Sequence, residues 1–355
     1  MATKQAARST NQAGKPSASS SRGFDKDLAE LEAFAETLRL QPVPDAVQVE
    51  FLRKSLAHRN NFIVSKAARL VADAELVTLL PDVLVAYDRF FTDAAKTDPQ
   101  CWAKNALSKA LVKLEHRTVA EYLRGMRHHQ MEPSFGPPVD TAGALRGTCT
   151  HALVDCPGIS DSDLLTALLE PLTDPDKTVR MEAARAIGQV GGVSATLILR
   201  LRAMLDPGEA GQEEPEVLGE VYRSLLSLEG AQAIPVVASR LEAGDELAAE
   251  AAFALADLRA PEALEPLLAR LRAGADTWFA GVLLSAIALT RLPEGMDFLV
   301  SLIERDGREA AAAIEAIGRI APAAELRARI EQAVDQAGSP RLQHAFRQHL
   351  PATAE

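Results

Sequence analysis

Apolar positions in the stretch Thr173 to Gly192, TDPDKTVRMEAARAIGQVGG, recur at three- and four-residue steps. Val179, Ala183, Ala184 and Ile187 therefore share one face of a helix. Asp174 and Pro175 break the helix before it, and Gly188, Gly191 and Gly192 are expected to form its exit. A single helix of this kind cannot bury its apolar face alone, so the pattern must recur for the chain to fold.

It does recur. With Ile187 as the marker position, comparable helices place Val71, Leu111, Leu153, Leu225, Leu255, Leu289 and Ile317 in the same slot, at steps of 28 to 42 residues. Such drift suits two-helix units joined by loops of unequal length. The remaining apolar periods predict a helix over 24–40, with Leu28, Leu31, Phe34, Ala35 and Leu38 on one side, then a first helical pair over 45–59 and 62–72, with Asn60 and Asn61 at its corner. The next pair is expected over 75–91 and 102–114, around Asp98-Pro99, followed by a helix over 119–126. Pro133, Pro137 and Pro138 block helix formation after it, which leaves 127–140 as a Pro-rich loop. Asp140 is then expected to cap a helix over 141–154. A near-uncharged run, Thr277 to Thr290, reads as a helix buried on most sides, and 206–215 as an acidic surface loop. A helix over 324–336 precedes Gly338-Ser339-Pro340, and Leu342, Phe346 and Leu350 suggest a short helix closing the C-terminal end.

Charge adds a second regularity. Asp98, Asp140 and Asp174 each lie thirteen residues before their marker, and Lys104, Arg146 and Arg180 each lie seven before it. An acid and a base six apart in three successive units predict a ladder of charge-assisted hydrogen bonds along the bends. The Asp-Pro turn, the Val-Arg that follows and the Ala-rich second helix resemble the HEAT repeat family over residues 45 to 335. The short Ala- and Gly-rich units of the C-terminal half resemble its phycobilisome-lyase-type members.

The resemblance implies an all-α fold, an α-solenoid wound as a right-handed superhelix of about eight helical hairpins. The expected divisions are a disordered tail (1–23), a capping helix (24–44), N-terminal repeats (45–126), the Pro-rich loop (127–140), a repeat array (141–336) and a C-terminal tail with a short helix (337–355).

Composition narrows the function. Net charge is −11, and Lys4, Arg8, Lys15 and Arg22 in the acid-free first 23 residues leave the remainder at −15. So acidic a body is poorly suited to neutralising phosphates, and no nucleic-acid partner is expected. No apolar run is long enough to span a bilayer, and three cysteines without paired spacing point to a reducing, cytoplasmic setting without disulfides.

Catalytic signatures are also missing. There is no Gly-rich phosphate loop and no Gly-x-Ser-x-Gly elbow. His116, His128, His129 and His151 with Cys149 and Cys156 lack the spacing of a metal site, and the absence of a His-Glu dipeptide sets the chain apart from the HEAT-type deoxyhypusine hydroxylases. HEAT-like alkylpurine DNA glycosylases use a basic concave face, which the acidic body does not offer. No cofactor is expected. One local concentration of cations stands out: Arg124, Arg127, His128 and His129, with Gln130 beside them, form a candidate site for an anion or a partner. The expected function is a non-catalytic scaffold or adaptor holding a protein or peptide on a concave face. The alternative is a phycobilin-lyase-like enzyme or chromophore chaperone using 124–146.

If Ile187 holds the marker slot, Ile187→Ala leaves a cavity in a packed face and lowers unfolding free energy by about 2 to 5 kcal/mol. Chemical denaturation measures this, and a loss below about 0.5 kcal/mol would put the helix in the wrong register.

Overall fold

A computed structural model describes residues 18–40, 44–205 and 214–351, so most of the expected acidic loop and of the N-terminal tail lies outside the described residues. The described chain is almost entirely helical. Its helices are α1 (Ala18–Leu40), α2 (Ala46–Leu56), α3 (Asn61–Asp73), α4 (Leu80–Arg89), α5 (Ala94–Thr97), α6 (Trp102–Lys113), α7 (Val119–Met126), α8 (Gly143–Ala152), α9 (Asp161–Leu172) and α10 (Lys177–Val190). They continue as α11 (Gly192–Met204), α12 (Pro215–Glu229), α13 (Ile234–Ala238), α14 (Glu246–Asp257), α15 (Pro261–Arg272), α16 (Thr277–Thr290), α17 (Pro293–Glu304), α18 (Ala310–Arg319), α19 (Ala324–Ala337) and α20 (Pro340–His349). Two short strands, β1 (Met131–Glu132) and β2 (Val139–Asp140), pair antiparallel with Met131 opposite Asp140. The segment expected as a Pro-rich loop thus carries a small hairpin. Its prolines fall between the strands, where no ladder hydrogen bond is needed.

Local chemistry explains where helices begin. Asp45 and Gln48 form a reciprocal capping box on α2, and the Asn60 carboxamide accepts the first N–H groups of α3. Asp176, Asp245 and Asp276 do the same for α10, α14 and α16, while Pro261, Pro293 and Pro340 sit at the starts of α15, α17 and α20.

The chain divides into two compact units. One comprises 1–116 with 129–145, the other 117–128 with 146–355. The expected boundaries lay at 126/127 and 140/141. Helix α7, read as the end of the N-terminal repeats, groups instead with the second unit, and the hairpin groups with the first. In the first unit α3 packs against α1, α2 and α6, and α4 against α2 and α6. Leu31 and Phe34 of α1 are buried.

The second unit is more regular. Helices α10, α12, α14, α16, α18 and α20 form a first row in which each packs on the next. Helices α9, α11, α13, α15, α17 and α19 form a second row, each packed on its first-row partner. A first-row helix is therefore covered on three sides. Its buried set is correspondingly wide and small: Ala248, Ala249, Ala251, Ala252, Ala254, Leu255 and Ala256 in α14.

Seven of the eight marker positions have no exposed surface: Val71, Leu111, Leu153, Ile187, Leu225, Leu255 and Ile317. Leu289 is the exception, at 38% exposed, and Ile287 occupies the slot instead. The run from Thr277 to Thr290 is apolar nearly all round, so its period does not fix its phase.

Gly188 also differs from expectation. It lies inside α10, not in its exit, and a Cβ there would stand 2.8 Å from the Ser224 Cβ of α12. Its missing side chain sets the α10–α12 approach. The exit is made by Gly191 and Gly192, with φ of +72° and +76°.

A double-mutant cycle tests this contact. Gly188→Ala is expected to cost more in the wild type than in a Ser224→Gly background, with a coupling of about 1 kcal/mol or more by chemical denaturation. Additive effects would show that the two positions do not limit the approach.

Candidate partner-binding surface

The cation cluster is divided between the two units. Arg124, Arg127 and His128 belong to the second, His129 and Gln130 to the first. In the second unit Arg127 Nε lies 3.3 Å from Glu170 Oε2, and the His128 carbonyl accepts a hydrogen bond from Arg146 Nη1 at 3.2 Å. Arg124 is exposed. In the first unit His129 Nδ1 lies 2.9 Å from Asp140 Oδ2, and Gln130 is buried. Acids of the same chain thus meet part of the positive charge.

Gln130 belongs to a buried network at the Asp98 bend. Asp98 Oδ1 accepts from Asn61 Nδ2 at 2.9 Å and Ala103 N at 2.8 Å, and Oδ2 accepts from Lys104 N at 3.0 Å and Lys104 Nζ at 2.9 Å. Gln130 Nε2 donates to the Asp98 carbonyl at 2.8 Å and to Glu132 Oε1 at 2.6 Å. Glu132 also receives the Gln100 N–H at 2.7 Å and the Thr141 hydroxyl at 2.8 Å. Gln100 and Cys101 adopt φ of +61° and +54°, a costly pair for residues with a Cβ, and the carboxylates of Asp98 and Glu132 brace that turn. Burial raises the Glu132 carboxyl, but the hydrogen bonds from Gln130, Thr141 and Gln100 and the charge of Lys104 outweigh it and hold its pKa below the ordinary value. Burial pushes the Cys101 thiol up to about 12, so it is not a ready nucleophile.

Of the remaining ladder residues, Asp140 lies in the first unit and Arg146 in the second. The Asp140 carboxylate accepts from Gln130 N and Ala142 N, both at 3.0 Å. Helix α8 begins at Gly143, so Asp140 shapes the approach to that helix and is not its N-cap. Arg146, fully buried, forks onto Asp174 of the next layer at 2.7 and 2.9 Å. Arg180 donates to the Asp174 carbonyl and ion-pairs with Glu214.

The open side of the first row carries a second ladder, which the sequence reading missed. Glu182 lies 3.5 Å from His151 and 2.8 Å from Arg185, and Arg185 forks onto Glu220 of α12 at 3.1 Å to each oxygen. Arg223 lies 3.4 Å from Glu220 and 3.3 Å from Glu250 of α14. The signal was present: Glu182, Glu220 and Glu250 stand five before their markers, and Arg185 and Arg223 two before.

Beyond Glu250 the same two positions change character. With Ile287 as the α16 marker they become Phe253, then Val282 and Ser285, then Ala312 and Glu315. At that point a cavity of about 220 Å³ opens, lined by Phe253, Trp278, Val282, Ser285, Glu315 and Arg319 among others. Trp278 is 51% exposed, and Arg319 closes one rim through Glu315 at 2.6 Å and Ser285 Oγ at 3.3 Å. A lining that mixes Phe253, Trp278 and Val282 with Ser285 and the Glu315–Arg319 pair is suited to one large apolar side chain held beside a polar backbone.

No family model matches the chain, and no curated protein does. Among solved structures it is similar to a crystallised engineered protein, with 18% identity, a TM-score of 0.35 and coverage of 91% of this chain and 95% of the other. Among the described residues no helix is long and apolar enough to cross a membrane.

The lowered carboxyl of Glu132 has a definite acid signature. Its stabilising effect is complete above its ordinary value of 4.5 and is lost as pH falls through its lower folded value. Wild type is therefore expected to be more stable than Glu132→Gln near neutral pH, with the gap narrowing as pH falls below about 4.5 in thermal melts. A gap independent of pH would dissociate this carboxylate from acid stability.

Proposed function

We propose that this chain is a HEAT-like α-solenoid that acts as a non-catalytic adaptor, binding a peptide segment along the open side of its first-row helices. The observation that carries this reading is the switch in that strip from the ion pairs of Glu182 to Glu250 to a cavity where Phe253, Trp278 and Val282 stand beside Ser285, Glu315 and Arg319. The segment it suits presents a bulky apolar side chain to the cavity and lays its polar backbone over the Glu220 and Glu250 rungs. Large aromatic anchors in a desolvated pocket supply most of the energy in such contacts. The two-row stacking of α9 to α20 supports the repeat class, and three cysteines without paired spacing suit a reducing, cytoplasmic setting. The acidic net charge of −11 argues against a nucleic-acid partner. For the bilin-lyase-like alternative at 124–146, the Arg127–Glu170 and His129–Asp140 pairs leave less charge for a substrate.

Selection of a random peptide display library on the full-length chain tests the proposal. Enriched peptides should share one bulky apolar position, and Val282→Arg should weaken their binding at least tenfold, about 1.4 kcal/mol, with an unchanged melting temperature. No enrichment, or binding indifferent to both Val282→Arg and Trp278→Ala, would refute it.

A further inference from the structure

Helix α11 of the second row buries Ala195, Leu199 and Ala203 and turns the opposite side outward. On that side Val193, Leu197, Leu201, Met204 and Leu205 are between 45% and 78% exposed. The two charged residues of the helix do not interrupt the stripe: Arg200 is tied to Glu229 of α12, and Arg202 is half-buried. The five side chains expose on the order of 500 Å² of apolar surface, as large as the biggest patch on an ordinary monomer. The adjoining sequence 206–213, DPGEAGQE, has no large apolar side chain to match them.

The geometry points to a second copy of this chain as the occupant, bound through an isologous α11–α11 contact. Two arguments single it out. Val193, Leu197, Leu201 and Leu205 form one ridge at four-residue steps, and the ridge maps onto itself when reversed. Val193 then meets Leu205 of the other copy and Leu197 meets Leu201, the self-complementarity that a two-fold axis requires. Ridges of this spacing interdigitate in the commonest class of helix crossing, at about −50°. Full burial of these side chains in two copies would cover on the order of 1,000 Å², the threshold for a specific interface, and contacts flanking the ridge would add to it.

Light scattering of the full-length chain on a sizing column, from about 1 to 100 µM, reads the result. Wild type should run as a dimer whose melting temperature rises with concentration, and L197E as a folded monomer whose melting temperature does not depend on concentration. The L197E/L201K double variant should dimerise again, because its opposite charges face one another across the axis. A wild type that stays monomeric at the top of the range, an L197E protein that stays dimeric, or a double variant that stays monomeric would each overturn the assignment. Val282→Arg should leave the dimer intact, so loss of peptide binding and loss of self-association are separable.

Discussion

A helix packed against neighbours on three sides has only one strip of circumference left to face solvent, and this constraint governs the second unit. The first-row helices meet it with small residues. Ala183, Ala184 and Gly188 in α10 and the alanines of α14 let backbones approach closely without loss of packing. Part of what remains recurs at two positions per helix, five and two residues before the marker, where most side chains are half-buried. Chemistry that differs from one repeat to the next is concentrated there, because the other faces are committed to the fold. That is why Glu182, Arg185, Glu220 and Arg223 form a continuous series, and why replacing that pattern with Phe253, Val282 and Ala312 opens a cavity without disturbing the rows.

Buried charge at the bends serves a different purpose. Lys104 and Asp98 have no exposed surface, and a pair so placed gains little net stability over an apolar pair of the same volume. Loss of either partner is costly, about 3–5 kcal/mol, because the other is left bare. Here the pair also organises a strained turn, since Asp98 fixes the N–H groups of Ala103 and Lys104 just after the left-handed residues Gln100 and Cys101. The Arg146–Asp174 fork works between layers, joining residues 28 apart in sequence.

Much of the helical pattern was legible in the sequence, because amphipathic period and capping chemistry are local. Helix α7 occupies 119–126 and α16 occupies 277–290, both as the apolar pattern indicates, and Asp98 with Lys104 meet at hydrogen-bond distance. Phase was legible only where polar residues mark the open side. In α16 almost none do, and Leu289 was taken for Ile287. Val282 and Ser285 fall on the recurring strip positions only from Ile287, so the slip would have obscured the cavity even with the strip in view. Partners distant in sequence were harder to read. The cations at 124–129 stood out by local density, but that density does not reveal the acids at 140 and 170 that meet two of them. Gly188 was misread for a related reason, since a glycine required by a neighbouring helix looks, in one dimension, like a glycine required by a turn.

The two proposed surfaces make different demands on the same rows, and their placement keeps them independent. The cavity lies on first-row helices α14, α16 and α18, whereas the ridge lies on α11 of the second row, on the side away from its own buried contacts. A contact on the second row leaves the first-row strip open. Two copies joined through α11 would then present two peptide sites on one particle, and a partner with two matching segments would gain avidity from the second at no cost in new contacts, provided its linker spans the sites. A single cavity of about 220 Å³ admits little more than one side chain, so by itself it supports modest affinity. Pairing of two such sites in the proposed dimer would offset the small size of each anchor.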